Sequence, residues 1–189
     1  MYIKEYIKEA INIKSQILDN EILCEEIKNA AASIIAAYRN NGKILIAGNG
    51  GSAADSQHMA TELVGRFYKS RKPLAAIALT TDSSILTAIS NDCGFNEVFS
   101  RQIEALGTEG DVFVAISTSG TSDNIIHAIM TAKNKGLVVI GLSGQNVSQM
   151  SELCDIMIQV PSFDTPKIQE LHLMIEHIIC SIVEKTLFN

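Results

Sequence analysis

Five short apolar runs, rich in β-branched residues, recur along the chain and constrain its fold more than any other feature. Most of them lack the alternation of apolar and polar residues that marks a half-exposed strand. Continuous apolar runs of this kind are typical of parallel strands that helices cover on both faces. The predicted strands span residues 43–48, 74–80, 111–118, 137–143 and 155–161.

The segments between these runs predict helices. Apolar residues at helical spacing predict helices over residues 52–67, 96–106 and 122–135, with Gly136 just past the last turn of the third. Two further helices precede the first strand, and a long helix over about residues 165–187 closes the chain. Because strands and helices alternate, the sequence predicts an α/β fold with a parallel sheet.

The length and composition indicate one domain. A chain of 189 residues with 47% hydrophobic content can bury one good core and is short for two. We therefore predict a single domain over residues 1–189, whose helices over about residues 1–41 carry more apolar surface than one sheet needs for cover. We expect part of that surface to pack against another subunit. The apolar residues concerned include Ile3, Ile7, Ile11, Leu18, Ile22 and Ile27.

Net charge and cysteine usage exclude several classes of partner. The formal net charge of −6 argues against a nucleic-acid surface, because non-specific phosphate binding needs clustered lysine and arginine. The four cysteines lie far apart without a C-x-x-C motif, and residues 1–18 are too charged to supply the apolar part of a signal peptide. Every apolar stretch is too short to span a bilayer. We therefore expect a reduced, cytoplasmic protein that binds neither nucleic acid nor membrane.

Two predicted strand ends carry many hydrogen-bond donors, at the edge of a parallel sheet where ligands bind. The first is the turn G-N-G-G-S at residues 48–52, whose glycines let backbone approach a ligand. Ser52 is predicted to cap the following helix with Asp55 as its capping-box partner, and a tight strand-to-helix turn would look the same. The second is S-T-S-G-T-S at residues 117–122, which predicts a neutral phosphate cradle, although solvated turn residues give a similar pattern.

Two groups of side chains could react or bind a metal. His58 and Glu62 are four residues apart on one helix face, which fits two metal ligands, an acid/base pair or a hydrogen-bonded surface pair. Gln169, His172 and His177 lie on the otherwise apolar last helix. Gln169 and His177 are about 12 Å apart along the helix axis, and by angle His172 pairs with Gln169 just as well. The helix geometry does not choose between the two histidines, and a buried histidine bonded to a carbonyl is a further alternative.

Four blocks of sequence together resemble the phosphoheptose isomerases, members of the sugar isomerase (SIS) domain superfamily. They are AGNGGSAADSQH with the glutamate at 62, TTDSSILTAISNDCGFNEVFSRQIEALG, ISTSGTSDNII and PSFDTPKIQELHLMIEH, and the match extends over essentially the whole chain. The resemblance implies a three-layer sandwich of the doubly wound, flavodoxin-like type, with a five-stranded parallel sheet between helices. It also implies a homotetramer with sites at subunit contacts.

The activity that the resemblance implies is that of an aldose–ketose isomerase. Such an enzyme converts sedoheptulose 7-phosphate to D-glycero-D-manno-heptose 7-phosphate through an enediol. The reaction is the first step of nucleotide-activated heptose biosynthesis, which leads to lipopolysaccharide, capsule or another glycan.

By the same resemblance, matching positions have roles in catalysis, metal binding and substrate binding. Glu62 is the base that acts on carbon, and His177 moves protons between the sugar oxygens. One Zn²⁺ per subunit is held by His58, Glu62, Gln169 and His177, so the resemblance, and not the helix geometry, selects His177 over His172. Substrate contacts are implied for Asn49, Gly50, Gly51, Ser52, Asn91, Asp92, Ser117, Thr118, Ser119, Ser122 and Gln169.

Two other functions share part of this pattern. Some SIS proteins only bind sugar phosphates, or associate as tetramers with the replication initiator DnaA. A module of that kind can dispense with a carboxylate at 62 and an imidazole at 177, whereas this chain has both. An isomerase of a shorter phosphosugar, such as a pentose phosphate, would keep the reaction and change the fit beyond the phosphate. The near-complete coverage by heptose-type blocks favours the heptose substrate.

Overall fold

The computed structural model describes residues 2–189, and strands alternate with helices along the chain as predicted. Two helices come first, α1 (Tyr2–Leu18) and α2 (Glu21–Arg39). The remaining elements are β1 (Ile44–Gly48), α3 (Gly51–Val64), β2 (Ala76–Ala78), α4 (Ser83–Cys93), α5 (Ser100–Leu106), β3 (Val112–Ile116), α6 (Asp123–Asn134), β4 (Val138–Ser143), α7 (Gln149–Leu153), β5 (Ile156–Gln159) and α8 (Thr165–Leu187).

The five strands form one parallel sheet in the order β2-β1-β3-β4-β5. At the centre, Ile46 of β1 lies between Ala78 of β2 and Val114 of β3. This order is the flavodoxin-like one, so the predicted doubly wound, three-layer fold is confirmed. It also places the ends of β1 and β3 side by side at the point where the strand order reverses, which is where open parallel sheets bind ligands.

Each face of the sheet has its own apolar core. Ile44 and Ile46 of β1 pack with residues of α2, α3 and α8 on one face. Leu45 and Ala47 pack with residues of α5 and α6 on the other. All five residues of β1 are buried. The strands are therefore continuous apolar runs because helices cover them on both sides.

The start of α3 differs from the prediction. Its N-cap is Gly50, whose φ of +56° favours glycine, and among the described residues no side chain caps the helix with a hydrogen bond. Ser52 lies buried inside the first turn, so the capping box predicted for Ser52 and Asp55 is wrong. The helix also ends at Val64 instead of residue 67, because Gly65 follows and weakens the helix at that point.

Other boundaries agree to different degrees. The helix predicted over residues 122–135 is α6, with Ser122 as its N-cap, and the last predicted helix is α8 over residues 165–187. The helix predicted over residues 96–106 is divided into a 3-10 turn at Phe95–Glu97 and α5. Strand β2 has three residues where seven were predicted, and it forms the edge of the sheet. Helices α4 and α7 were not predicted.

The first two helices expose much of their apolar surface. Ile3, Ile7, Ile11, Leu18 and Ile22 are between 52% and 78% exposed, whereas Ile27 is buried in the first core. The cysteines at 24, 93, 154 and 180 are free thiols. Between residues 2 and 189, none of the helices combines the length and the apolar character that crossing a membrane requires.

Candidate active site

Helices α3 and α8 lie side by side on one face of the sheet and run in the same direction. Gly51, at the start of α3, packs against Gln169, and His58, two turns later, meets His177. The Nε2 atoms of the two histidines are 2.8 Å apart. Glu62 Oε1 is 3.4 Å from His58 Nε2. The structure therefore brings His58, Glu62 and His177 together from two helices.

The donor atoms of these three side chains fit a metal ion. They all lie within 4.8 Å of one another. Two facing ring nitrogens 2.8 Å apart cannot both carry a proton, so at least one presents its lone pair to the space between them. Donor atoms around a tetrahedral zinc ion are about 3.3 Å apart, so a small opening of the histidine contact would seat the ion. Two imidazoles and a carboxylate suit zinc among several divalent ions.

The polar residues of α8 lie in different surroundings. His177 reaches the other two donors, whereas His172 is fully buried beside Ser143. Within residues 2–189, neither ring nitrogen of His172 makes a hydrogen bond of ordinary geometry. Burial lowers the pKa of His172 to about 4, and the nearby Ser143 backbone only partly opposes this.

The side chain of Gln169 lies against the start of α3, where a β-carbon at Gly51 would overlap its amide. The roles of Gln169 as metal ligand and substrate contact stay predictions.

The loops after β1 and β3 are joined by a pair of amides. Asn49 and Asn124 bond reciprocally, because each side-chain nitrogen donates to the oxygen of the other at 2.9 Å. Asn49 belongs to the glycine turn after β1, and Asn124 is buried in the first turn of α6. The pair therefore connects the two loops that are predicted to bind substrate. Asn124 was not predicted from the sequence, since its partner is 75 residues away along the chain.

The hydroxyls predicted to form the phosphate cradle cluster at the start of α6. Ser117 Oγ lies 3.0 Å from Ser122 Oγ and 3.5 Å from Ser119 Oγ. Ser117 Oγ also accepts a hydrogen bond from the Gly120 backbone N–H at 3.2 Å. Thr118 is half-buried beside them. Hydroxyls and backbone N–H groups at a helix N-terminus stabilise an anion without a lysine.

Asn91 and Asp92 lie on α4. The Asn91 side-chain nitrogen donates to Asp92 Oδ1 at 2.7 Å, so in this chain the two side chains bond each other and not the glycine turn. Both are exposed, and no residue between Ser83 and Cys93 is buried. Their contact with substrate stays a prediction.

Two buried carboxyl groups accompany the histidine pair. Asp55 lies one turn before His58, and Glu176 precedes His177; among the described residues, Asp55 Oδ2 and both Glu176 oxygens are buried without a hydrogen-bond partner. Burial raises the pKa of Asp55 to about 6, although His58 lowers it. Burial, and then the charge of Asp55, raises the pKa of Glu176 well above its usual range. Neither carboxyl was assigned to the site from the sequence, from which Asp55 was predicted to be the capping-box partner of Ser52.

The fold and the convergent donor set fit an isomerase of the sugar isomerase (SIS) class. Comparison with known proteins agrees with that class. The family model of the SIS domain matches residues 5–144. Over 188 residues the chain is 56% identical to phosphoheptose isomerase 2 of Campylobacter jejuni, and the alignment covers 100% of this chain and 94% of the relative. It is 54% identical to the phosphoheptose isomerase of Aneurinibacillus thermoaerophilus, over 100% of this chain and 95% of the relative.

A solved structure gives the same answer. The phosphoheptose isomerase of Neisseria gonorrhoeae matches with a TM-score of 0.91 and 42% identity, over 97% of each chain. The chain belongs to the phosphoheptose isomerase family.

Proposed function

We propose that this chain is an aldose–ketose isomerase that converts sedoheptulose 7-phosphate to D-glycero-D-manno-heptose 7-phosphate, the first step of nucleotide-activated heptose biosynthesis. The observation that carries the proposal is the convergence of His58, Glu62 and His177 from α3 and α8. Identity of 54–56% to phosphoheptose isomerases over the whole chain supports the heptose substrate. A sugar-phosphate-binding module would need the hydroxyl loop and not this set of side chains.

The reaction moves a carbonyl from C2 to C1 of the sugar through a cis-enediol. Glu62 removes a proton from C1 and returns it to C2. His177 takes the proton of the O1 hydroxyl and delivers it to O2, so protons balance over the cycle. The Glu62 side chain is 20% exposed, which leaves it accessible to a ligand while most of its surface is shielded from water.

We also propose that His58, Glu62, Gln169 and His177 hold one Zn²⁺ per subunit. A divalent ion held by these residues would supply Lewis-acid chemistry, since it would polarise the sugar carbonyl and make the neighbouring C–H more acidic. A carboxylate bound to a cation is a weaker base, because the cation stabilises its ionised form. Glu62 must therefore be free of a tight metal contact when it accepts the proton, and so must the ring nitrogen of His177 that carries a proton, because one lone pair cannot bind a metal and a proton together.

Substrate binding is divided between the two sheet-end loops and two helices. Ser117, Thr118, Ser119 and Ser122 anchor the phosphate at the N-terminus of α6, because hydroxyls and N–H groups collect there. The rest of the sugar extends toward the reactive pair. The remaining proposed contacts are Asn49, Gly50, Gly51, Ser52, Asn91, Asp92 and Gln169.

The chain is one SIS domain over residues 1–189 and works as a cytoplasmic homotetramer in this proposal. The apolar side chains that α1 and α2 leave exposed support it, since a stripe of this kind marks an interaction surface. Light scattering of the wild type should give four subunits. Replacing Ile7 and Ile11 together by glutamate should dissociate the assembly, and an unchanged mass would contradict the role of these helices.

Glu62→Gln tests the function most simply. It keeps the shape and removes the base, so turnover of sedoheptulose 7-phosphate should fall at least about 100-fold, the lower range for general base catalysis. Glu109→Gln makes the same change at an exposed turn and should turn over like the wild type. Undiminished turnover by Glu62→Gln would refute the assigned role.

A further inference from the structure

A buried ion pair joins the two helices of the site at their far end. Arg71 Nε lies 2.8 Å from Glu184 Oε1, and each side chain is only 2% exposed. Three contacts therefore follow one another along α8: Gln169 meets Gly51 at the start of α3, His177 meets His58, and Glu184 meets Arg71 in the chain that follows α3. Buried charges of this kind are retained only with a full set of hydrogen bonds.

Arg71 completes that set by binding the end of α3. Its Nη2 donates to the Glu62 carbonyl at 2.8 Å, and its Nη1 donates to the Leu63 carbonyl at 2.9 Å. The last carbonyls of a helix have no partner within the helix, so the guanidinium satisfies groups that water or a side chain must bind. One of them belongs to Glu62, the proposed base and metal ligand. The backbone that carries this carboxylate is thus tied to α8.

Glu184 binds the chain that leaves α3. Its Oε1 accepts a hydrogen bond from the Phe67 N–H at 3.2 Å. Its Oε2 accepts from the N–H groups of Tyr68 at 2.8 Å and Lys69 at 3.1 Å. The Phe67 ring lies against the His177 imidazole, with ring centres 5.7 Å apart. Glu184 follows His177 by seven residues, which places both on the same face of α8.

We propose that Arg71 and Glu184 are positioning residues that fix the separation of Glu62 and His177. The inference rests on the proposed function of the same site. Neither helix can slide along the other without breaking charged hydrogen bonds that are shielded from water. Hydrogen bonds with a charged donor or acceptor are stronger than neutral ones. Some residues do not bind the metal themselves and instead orient its ligands. Mutation of such residues typically lowers metal affinity or activity by about 10–100-fold. Arg71 and Glu184 act through Glu62, Phe67 and His177.

Two variants with a matched control test the inference. Glu184→Gln keeps the shape and removes the charge, whereas Arg71→Lys keeps the charge and removes the forked geometry. Asp111→Asn is the control, because Asp111 is 1% exposed, lies 2.6 Å from Lys43 Nζ and precedes β3, at the opposite end of the sheet from the site. For each protein we would measure the unfolding midpoint, Zn²⁺ affinity by competition with a chelating dye, the absorption spectrum of the Co²⁺ form, and kcat and KM.

The expected result separates positioning from stability. Glu184→Gln and Arg71→Lys should bind Zn²⁺ roughly 10-fold more weakly or worse, with an altered Co²⁺ spectrum. Their kcat should fall by a similar factor, while KM changes little. Asp111→Asn should lose stability and keep the wild-type metal affinity, spectrum and kcat.

Other outcomes would overturn the inference. Folded Arg71→Lys and Glu184→Gln with wild-type Zn²⁺ affinity and Co²⁺ spectrum would show that the pair only stabilises the fold. If neither variant folds, the pair serves stability and the inference is overturned as well. If Glu184→Gln alone does not fold, the metal affinity and spectrum of Arg71→Lys decide. A wild type that binds Zn²⁺ without turning over the heptulose phosphate would contradict the proposed function, and the metal affinities would still decide the positioning role.

Discussion

His172→Gln should remove an acid-sensitive contribution to the free energy of unfolding. Burial in the core lowers the pKa of His172 from 6.5 to about 4. Because the pKa is lowered in the folded state, the unfolded chain takes up the proton first as the pH falls. The contribution of the neutral ring is therefore complete above pH 6.5 and is lost as the pH falls through about 4.

The magnitude follows from the size of the shift. The pKa changes from 6.5 to about 4, a difference of about 2.5 units, and each unit corresponds to about 1.4 kcal/mol. The wild type should therefore lose about 3 kcal/mol of unfolding free energy through this one side chain between neutral pH and pH below 4. His172→Gln cannot take up this proton, so its stability should depend less steeply on pH.

Urea unfolding at a series of pH values measures the difference, with the protomer concentration fixed because subunit association contributes to stability. His127→Gln makes the same chemical change at a side chain that is 42% exposed, and it reports what the substitution does outside the core. We subtract the free energy of unfolding of His172→Gln from that of the wild type. This difference should be about 3 kcal/mol smaller at pH 3.5 than at pH 7.5. Parallel curves for the two proteins would refute the reasoning.

Three further substitutions test the loops of the site. Asn124→Ala removes both 2.9 Å hydrogen bonds to Asn49. It should raise KM about 10-fold with a smaller effect on kcat, and an unchanged KM in steady-state kinetics would contradict the role of this pair in connecting the loops. Gly120→Ala places a β-carbon where φ is +70° and where it would overlap Ser148. Calorimetry should therefore show weaker binding of inorganic phosphate, and an affinity equal to that of the wild type would count against the phosphate cradle. Gly51→Ala should displace the Gln169 amide and weaken Zn²⁺ binding roughly 10-fold in a chelator competition, and unaltered affinity would remove Gln169 from the proposed ligand set.

The architecture could be predicted from the sequence because strands covered on both faces leave continuous apolar runs. The C-terminal helix was predicted at its observed bounds, residues 165–187, since its apolar spacing is unbroken and Pro166 stands in its first turn. The start of α3 was not, because the turn contains Gly50 as well as Ser52. The positive φ of Gly50 makes the glycine the cap, and a sequence does not show which residue adopts it.

The site could be predicted only where its residues share one element. His58 and Glu62 follow from the spacing on a single helix, whereas the choice of His177 over His172 needed the family resemblance. The packing of α3 against α8 makes that choice physically, since it brings His177 to His58, whereas His172 is buried beside Ser143. Interactions between distant segments left no pattern in the sequence. The Arg71 and Glu184 side chains, for example, meet across 113 residues of chain.

Turnover of sedoheptulose 7-phosphate in D₂O, followed by NMR, tests the central claim most directly. The measurement compares metal-stripped wild type, the same protein reloaded with Zn²⁺, and His177→Ala. The proposed mechanism predicts that heptose 7-phosphate forms with the reloaded protein, and that the stripped protein and the variant do not form it. Absence of product under every condition, with saturable binding of the sugar phosphate still measurable, would contradict the mechanism and identify a binding module.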